Sequence, residues 1–316
     1  MTTSTNDQPT SSAAKLFVRK RRRVRWFVLA VLTPALLWLI LFRYGPLAYL
    51  VDLSFQTGTL GGTSQWVGLA NYQRALFGDP QFRQALENTV YFTTAYVLLQ
   101  IPLGLLIAVG IQSLRREAFR QTVLTFYFLP LVTSTAATAI LFVFLYNPIF
   151  GLFNSVLTAL NLPAQDFLQD PRLALLSVVG MDWWKNLGFA VVIFYAGLQT
   201  IPEELYQAAS VDGANAWQRL RWMTLPLMRP TIALLFTVDV AETLRVFTPV
   251  FVMTATQTLQ PGGPDNSTMV WSLYLFNQAF RLNQFGYAAA LAVLMFVAVA
   301  IFIAIELRVM RSNWEY

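Results

Sequence analysis

Three ionisable residues, Asp239, Glu242 and Arg245, are spaced three positions apart in an otherwise largely apolar stretch of this chain. On a helix, that spacing places them within about 120° of one face. Charged groups at membrane depth are costly, and they normally face the interior of a helix bundle or a water-filled cavity. The pattern therefore indicates a polar binding face or an ion path, unless Glu242 and Arg245 only pair with each other or with a neighbouring span.

The composition argues against most catalytic chemistry. The 316 residues include no His and no Cys, so the commonest general base and every thiolate site are absent. Lysine occurs only at positions 15, 20 and 185, and none of these follows a glycine, which excludes the phosphate-binding GxxxxGK[ST] loop. We expect no metal, no cofactor and no enzyme activity, and any ATP-driven step would need an ATPase on another chain.

The charged residues at 239, 242 and 245 lie in one of several long apolar segments of the chain. The chain is 56% hydrophobic and 12% charged, and about twenty residues cross a hydrocarbon core of about 30 Å. We predict an all-α integral membrane protein with six transmembrane helices in one domain over residues 26–316. The predicted spans are 26–49, 89–111, 122–146, 173–200, 230–253 and 286–307.

Residues 1–25 form a basic tail, predicted to be partly disordered, that ends in seven Lys and Arg residues. A signal peptide is the competing interpretation, but the apolar run that follows is too long and no small-residue cleavage site closes it. Fifteen of the 22 basic residues fall on one side if every span crosses. That side is predicted to be the cytoplasm, with both termini there, and nucleic-acid binding by the tail is disfavoured.

The segment 200–229, called here the 200–229 loop, is too polar to cross a bilayer. Pro202 suits a first helical position, Glu203 and Glu204 suit a helix N-terminus, and Gly213 suits a left-handed cap. We predict one short helix at about 202–212 and a second from Asn215 to Met223, ended by Leu225 and Pro226. A solvated linker is the simpler interpretation, but the small and aromatic side chains favour a surface that docks on a partner.

The same loop resembles the Glu-Ala-Ala motif of permease subunits of ATP-binding-cassette importers. The family's Glu-Ala-Ala, Gly and Ile-x-Leu-Pro elements correspond to Gln207-Ala208-Ala209, Gly213 and Met223-Thr-Leu225-Pro226. Gln207 stands where the family has Glu, so this position lacks the charge that can pair with the ATPase in the family. The segments VGLANYQRALFGDPQF, FRQTVLTFYFLP, VFVMT, GGPDNST and AFRLNQFGYAAA are similar to the maltose, trehalose and glycerol-3-phosphate permease branch. One departure is a longer outer loop between Thr254 and Gly262.

The resemblance implies a MetI-like permease fold in a bacterial or archaeal plasma membrane. It also implies a second homologous permease, two copies of an ATPase, a solute-binding protein outside, and membrane lipid as the surroundings. ATPase coupling would fall on Glu204, Gln207, Ala208, Ala209, Asp212, Gly213, Leu225 and Pro226.

Substrate contacts implied by the resemblance are Asp239, Thr243 and Val246 in the fifth span, with Glu242 on the same face. In the fourth span, Asp182-Trp-Trp-Lys185 is typical of an interfacial belt, whereas Asn186 and Phe189 are better candidates for substrate contact. Lys185 is expected to reach Asp182 or the lipid headgroups. The expected solute is a disaccharide or oligosaccharide, with glycerol-3-phosphate or a polyol as the alternative, and a secondary carrier as a more distant one.

Overall fold

The computed structural model describes residues 29–58, 65–255 and 261–311. Predictions about the basic tail and about residues 256–260 of the longer outer loop therefore lie outside the described residues. The helices are α1 Leu29–Ser54, α2 Ala70–Gln73, α3 Pro80–Gln112, α4 Glu117–Val132, α5 Thr135–Leu145, α6 Leu152–Ala159, α7 Ala174–Gln199, α8 Glu203–Val211, α9 Ala216–Leu227, α10 Arg229–Thr243, α11 Thr248–Ala255, α12 Trp271–Phe276 and α13 Phe285–Arg311. Two short antiparallel strands, β1 Gln56–Thr57 and β2 Gln65–Trp66, pair beside α1.

Helix α7 lies at the centre of the bundle. It contacts α3, α4, α5, α10 and α11, and its buried residues extend from Ala174 to Leu198. Two apolar clusters form around it, one including Phe92, Met181 and Tyr287 and the other including Phe194 and Met228. A helix surrounded by protein does not need the uniformly apolar surface of a lipid-facing helix, so α7 tolerates Asp182 and Lys185.

Within the described residues, three helices are long and apolar enough to cross a membrane: Leu29–Ser54, Pro80–Gln112 and Phe285–Arg308. The number rises to five if each of two bent helix pairs counts as one span. The 26-residue α7 is not among them, although it covers the fourth predicted span. Each of the six predicted spans corresponds to helical structure. The largest difference between a predicted and an observed boundary is nine residues, at the start of α3.

Two predicted spans are broken, and neither break was predicted from the sequence. The third divides into α4 and α5, which meet at 95°, because Thr133 and Ser134 are extended. The fifth ends at Thr243 and resumes as α11 at Thr248. Pro249 has no N–H for a preceding helical turn and its ring disfavours one, so a continuous helix through this point is unfavourable.

The N-terminal end of α3 is fastened to the last two helices of the fold. Asp79 caps α3 by accepting hydrogen bonds from the amides of Gln81 and Phe82. Its second oxygen accepts bonds of 2.6 Å from the hydroxyls of Tyr274 and Tyr287. This cluster joins α3, α12 and α13 at the end of the bundle away from the 200–229 loop.

Candidate functional site

One cavity of about 440 Å³ lies between α3, α7, α10 and the start of α5. Its lining residues include every substrate-contact residue proposed from the sequence, namely Asp239, Glu242, Thr243, Val246, Asn186 and Phe189. The structure therefore brings together two groups that are about fifty residues apart in the chain. A cavity of this size, with aromatic walls and a few polar groups, suits a small organic ligand.

Asp239 is the buried acceptor of this cavity. It is 4% exposed, and its Oδ2 atom has no hydrogen-bond partner in the described part of the chain. Thr243 Oγ1 donates instead to the backbone carbonyl of Asp239, at 2.7 Å. Because the Thr243 proton is already used, Asp239 is the better candidate to accept a bond from a ligand hydroxyl.

Further polar residues of α3 and α5, which were not predicted from the sequence, shape the cavity. Tyr96 and Thr135 line it directly, and the buried Gln100 donates to the Asn186 carbonyl at 3.0 Å. Tyr96 and Gln100 are four residues apart in an apolar helix, so they share one face. This spacing of two polar residues in an apolar helix could have indicated that α3 contributes a polar face to the cavity.

Most of the cluster at 182–186 packs within the helix bundle, and only Trp184 is exposed. Asp182 lines the cavity and accepts a bond of 3.2 Å from Asn186 Nδ2. Lys185 is only 5% exposed, and its Nζ donates to the Leu131 carbonyl at 3.3 Å. The expectation that Lys185 reaches Asp182 or the headgroups is therefore wrong, because the side chain turns into the contact with α4.

Glu242 and Arg245 form an ion pair of 2.7 Å, and both side chains are more than half exposed. Arg245 also lines the cavity. The cavity wall thus carries three carboxyl groups, those of Asp182, Asp239 and Glu242, and one guanidinium. The pair predicted from the spacing is present, but it faces open space in this chain rather than the apolar core.

The 200–229 loop folds into two short helices that meet at a glycine corner. Helix α8 has Glu203 and Glu204 in its first turn, and Gly213 follows it with φ of 77°. The Gly213 amide donates to the Ser210 carbonyl, and the Ala214 amide donates to the Ala209 carbonyl. The predicted left-handed cap is therefore confirmed, since this φ is readily available to glycine and strained for other residues.

The second helix of the loop is longer than predicted. Asn215 and Gln218 form a reciprocal capping box at its start, but the helix continues through Leu225 and Pro226 to Leu227. A π-helical turn over Leu220–Thr224 precedes the proline, and the Leu225 amide donates to the Leu220 carbonyl, five residues earlier. The prediction that Leu225 and Pro226 end the helix is wrong; they lie within it, half-buried.

The loop exposes small and apolar side chains. Ala208 is exposed and Ala209 half-buried, and Ala209 shares a cavity of about 320 Å³ with Trp222. Val211, Trp217 and Trp222 are 88%, 67% and 75% exposed. The remaining predicted coupling residues, Glu204, Gln207 and Asp212, are also exposed. Such side chains on a polar loop are typical of a surface that binds another protein.

The loop is joined firmly to the bundle. Ile201 and Met228, at its two ends, belong to the apolar cluster that contains Leu198 of α7. The Tyr206 hydroxyl and Thr224 Oγ1, 3.2 Å apart, link its two helices. The loop therefore packs directly against the ends of α7 and α10, the two helices that carry most of the cavity wall.

Comparison with known proteins identifies the family. Residues 100–311 match the family described as "Binding-protein-dependent transport system inner membrane component". The chain belongs to this family. It is 32% identical to the trehalose/maltose transport system permease protein MalF of Thermococcus litoralis, over 94% of this chain and 97% of that protein. It is also 32% identical to the lactose transport system permease protein LacF of Rhizobium radiobacter, over 85% and 88%.

A solved structure shows that the likeness extends over most of the fold. A bacterial alginate ABC transporter, in complex with an alginate pentasaccharide-bound periplasmic protein, has a chain that superposes with a TM-score of 0.79 and 26% identity, covering 91% of this chain and 94% of that chain. The family match and this shared architecture confirm the predicted all-α, MetI-like permease fold and a multi-pass inner-membrane protein. As a permease component, the chain is the membrane part of a transport system rather than its catalytic subunit.

Proposed function

We propose that this chain is one of two transmembrane subunits of an importer that moves a carbohydrate, a disaccharide or oligosaccharide, across the membrane. The observation that carries the proposal is the single cavity that unites Asp239, Asn186 and Phe189. A carboxyl oxygen without a partner accepts bonds from sugar hydroxyls. An aromatic face packs on the apolar face of a pyranose ring. Relatives named for trehalose, maltose and lactose support this substrate class.

Energy for transport comes, in this proposal, from two copies of a separate ATPase that dock on the 200–229 loop. The exposed Trp217 and Trp222 and the Ala208–Ala209 step form the docking surface. The contact would involve Glu204, Gln207, Asp212 and the Gly213 corner, while Leu225 and Pro226 hold the loop helix against the bundle. This places the loop and both termini in the cytoplasm and the Asp79 cluster on the outside, where a solute-binding protein delivers the ligand.

An anionic solute is the second candidate, and two observations favour it. Arg245 lines the cavity, and the structural neighbour is an alginate transporter. Three carboxyl groups on the same wall oppose an anion, so a neutral saccharide remains the first choice, with a polyol and glycerol-3-phosphate as alternatives.

Reconstitution tests the proposal. The chain is placed in vesicles alone and then with its neighbouring permease, the ATPase and the binding protein, and uptake of labelled maltose, trehalose and glycerol-3-phosphate is compared with and without ATP. Uptake is expected only in the complete assembly with ATP. Uptake by the chain alone, driven by an ion gradient, would instead establish a secondary carrier.

A further inference from the structure

Lys185 is a buried charge that the proposed cavity does not use. It lies in the middle of α7, is 5% exposed, and donates from Nζ to the backbone carbonyl of Leu131 at 3.3 Å. A buried ammonium is retained only where a local partner offsets its loss of hydration. The partner here is a main-chain carbonyl at the end of a neighbouring helix.

Leu131 lies in the last turn of α4, next to the 95° break. The last four carbonyls of a helix lack partners within the helix, and this end carries partial negative charge. The Pro130 carbonyl is satisfied by the amide and hydroxyl of Thr133. The Leu131 carbonyl is satisfied by Lys185, so the ammonium caps the broken end of α4 from a different helix.

A second residue on the same face of α7 fixes the approach of α4. Gly188 is one turn from Lys185, and a Cβ atom added there would collide with the Tyr127 carbonyl. The backbones of α4 and α7 therefore touch at Gly188. This contact brings the end of α4 within reach of the Lys185 side chain.

The bend between α4 and α5 determines the position of Thr135 relative to the cavity. Helix α5 begins at Thr135, immediately after the two extended residues, and Thr135 lines the cavity together with Asp182 and Asn186. Because α4 and α5 meet at 95°, a helix that continued straight from α4 would place residue 135 elsewhere. The wall formed by Thr135 therefore depends on the break at 133–134.

We propose that Lys185 is a positioning residue that holds this bend by placing its charge on the free carbonyl end of α4, and that it thereby keeps Thr135 in the cavity wall. The role of the cavity as a substrate site rests on the proposed function. The bend itself is measurable without any ligand.

The test uses the natural absence of cysteine. A single cysteine is introduced at Thr135, and its rate of reaction with a small water-soluble methanethiosulfonate is measured in the assembled complex in membranes. In the Lys185→Met background the rate is expected to fall roughly fivefold or more, since loss of a single contact changes a two-state ratio by about that factor. Lys185→Arg, which keeps the charge, is expected to restore the rate.

A cysteine at Phe189 is the matched control, because it lines the same cavity from α7 itself and is expected to react unchanged in Lys185→Met. Unchanged reactivity at Thr135, or an equal fall at both positions, overturns the proposal. If Lys185→Met does not assemble, Lys185→Gln replaces it, and the same fall is expected because the charge is gone. If this labelling pattern holds while no saccharide is transported, the proposed function fails and the positioning role of Lys185 stands.

Discussion

The carboxyl group of Asp79 and the hydroxyl of Tyr274 are joined by a hydrogen bond of 2.6 Å, although 195 residues separate them. Tyr287 donates to the same oxygen, and the Arg74 guanidinium lies 3.9 Å from the centre of the Tyr287 ring. Burial raises the pKa of Asp79, but the bonds from Tyr274, Tyr287 and Phe82 and the charge of Arg74 outweigh it, so the pKa lies below its usual value. The ionised carboxylate is thus the form that the fold stabilises.

Asp79→Asn is expected to destabilise the folded chain by about 1.5–3 kcal/mol, because it removes a charged acceptor shared by two hydroxyls. A carboxyl group whose pKa is lower in the folded than in the unfolded state stabilises the protein at any pH above the unfolded-state pKa. This contribution is lost as the pH falls through the folded-state pKa. The difference between wild type and variant should be constant from about pH 7 to pH 5 and shrink below about pH 4. Thermal unfolding in detergent measures it.

Glu87→Gln is the matched control near the same end of α3. The Arg83–Glu87 pair is 81% and 64% exposed, and such pairs contribute about 0–1 kcal/mol. An equal loss in both variants would show that the Asp79 cluster has no special role.

Gly213→Pro and Ala209→Glu are expected to abolish ligand-stimulated ATPase activity of the assembled complex while leaving the chain in the membrane. Proline cannot adopt the φ of 77° found at Gly213, and a glutamate at the half-buried Ala209 adds bulk and charge beside Trp222. Gly110→Ala is the control, since nothing lies within 4 Å of the added methyl group. Normal stimulation in both loop variants would reduce the 200–229 loop to a linker.

Asp239→Ala is expected to weaken substrate affinity about three- to tenfold, because one lost hydrogen bond contributes about 0.5–1.5 kcal/mol. Uptake at limiting saccharide concentration measures the change, which should disappear near saturation. Thr237→Val serves as the control, because its hydroxyl donates to the Ala233 carbonyl on the same helix and does not line the cavity. A similar loss from both changes would exclude a specific role for Asp239.

Arg245→Ala is expected to leave the amount of folded protein near that of wild type. The spacing alone predicts a destabilised variant with an unpaired buried Glu242, but both partners are more than half exposed, and exposed pairs add little stability. Uptake of an anionic solute should fall more than uptake of a neutral saccharide. Loss of neutral saccharide uptake at normal purified yield would make Arg245 a direct substrate contact.

Topology is tested with single cysteines at Ser11, Asn215 and Asn313, none of which competes with a natural thiol. All three are expected to resist a membrane-impermeant thiol reagent added to intact cells and to react after the cells are opened, because the basic residues concentrate on that side. Asn161, exposed between α6 and α7, provides the position expected to react from outside. Labelling of any of the first three cysteines in intact cells would contradict the predicted orientation.

The amino-acid sequence by itself determined the class of the protein. Apolar runs of spanning length, the basic-residue asymmetry and the 200–229 motif are local or compositional features, because each arises from how a short segment meets lipid or water. The helix at Glu203–Val211 and the cap at Gly213 followed from residues within one turn of each other. The resemblance of several short segments then led to the family, which the comparisons confirm.

Only the tertiary structure decided which side chains share a cavity and which groups meet at the break in the third span. Tyr96 and Thr135 meet Asp239 because α3, α5 and α10 pack on α7, and no local pattern specifies a contact between segments forty or a hundred residues apart. At the break before Thr135, the Leu131 carbonyl likewise accepts a hydrogen bond from Lys185, which lies about fifty residues further along the chain. Helix propensity acts over a few residues, whereas burial of a charge or a carbonyl is settled by whichever segment packs against it.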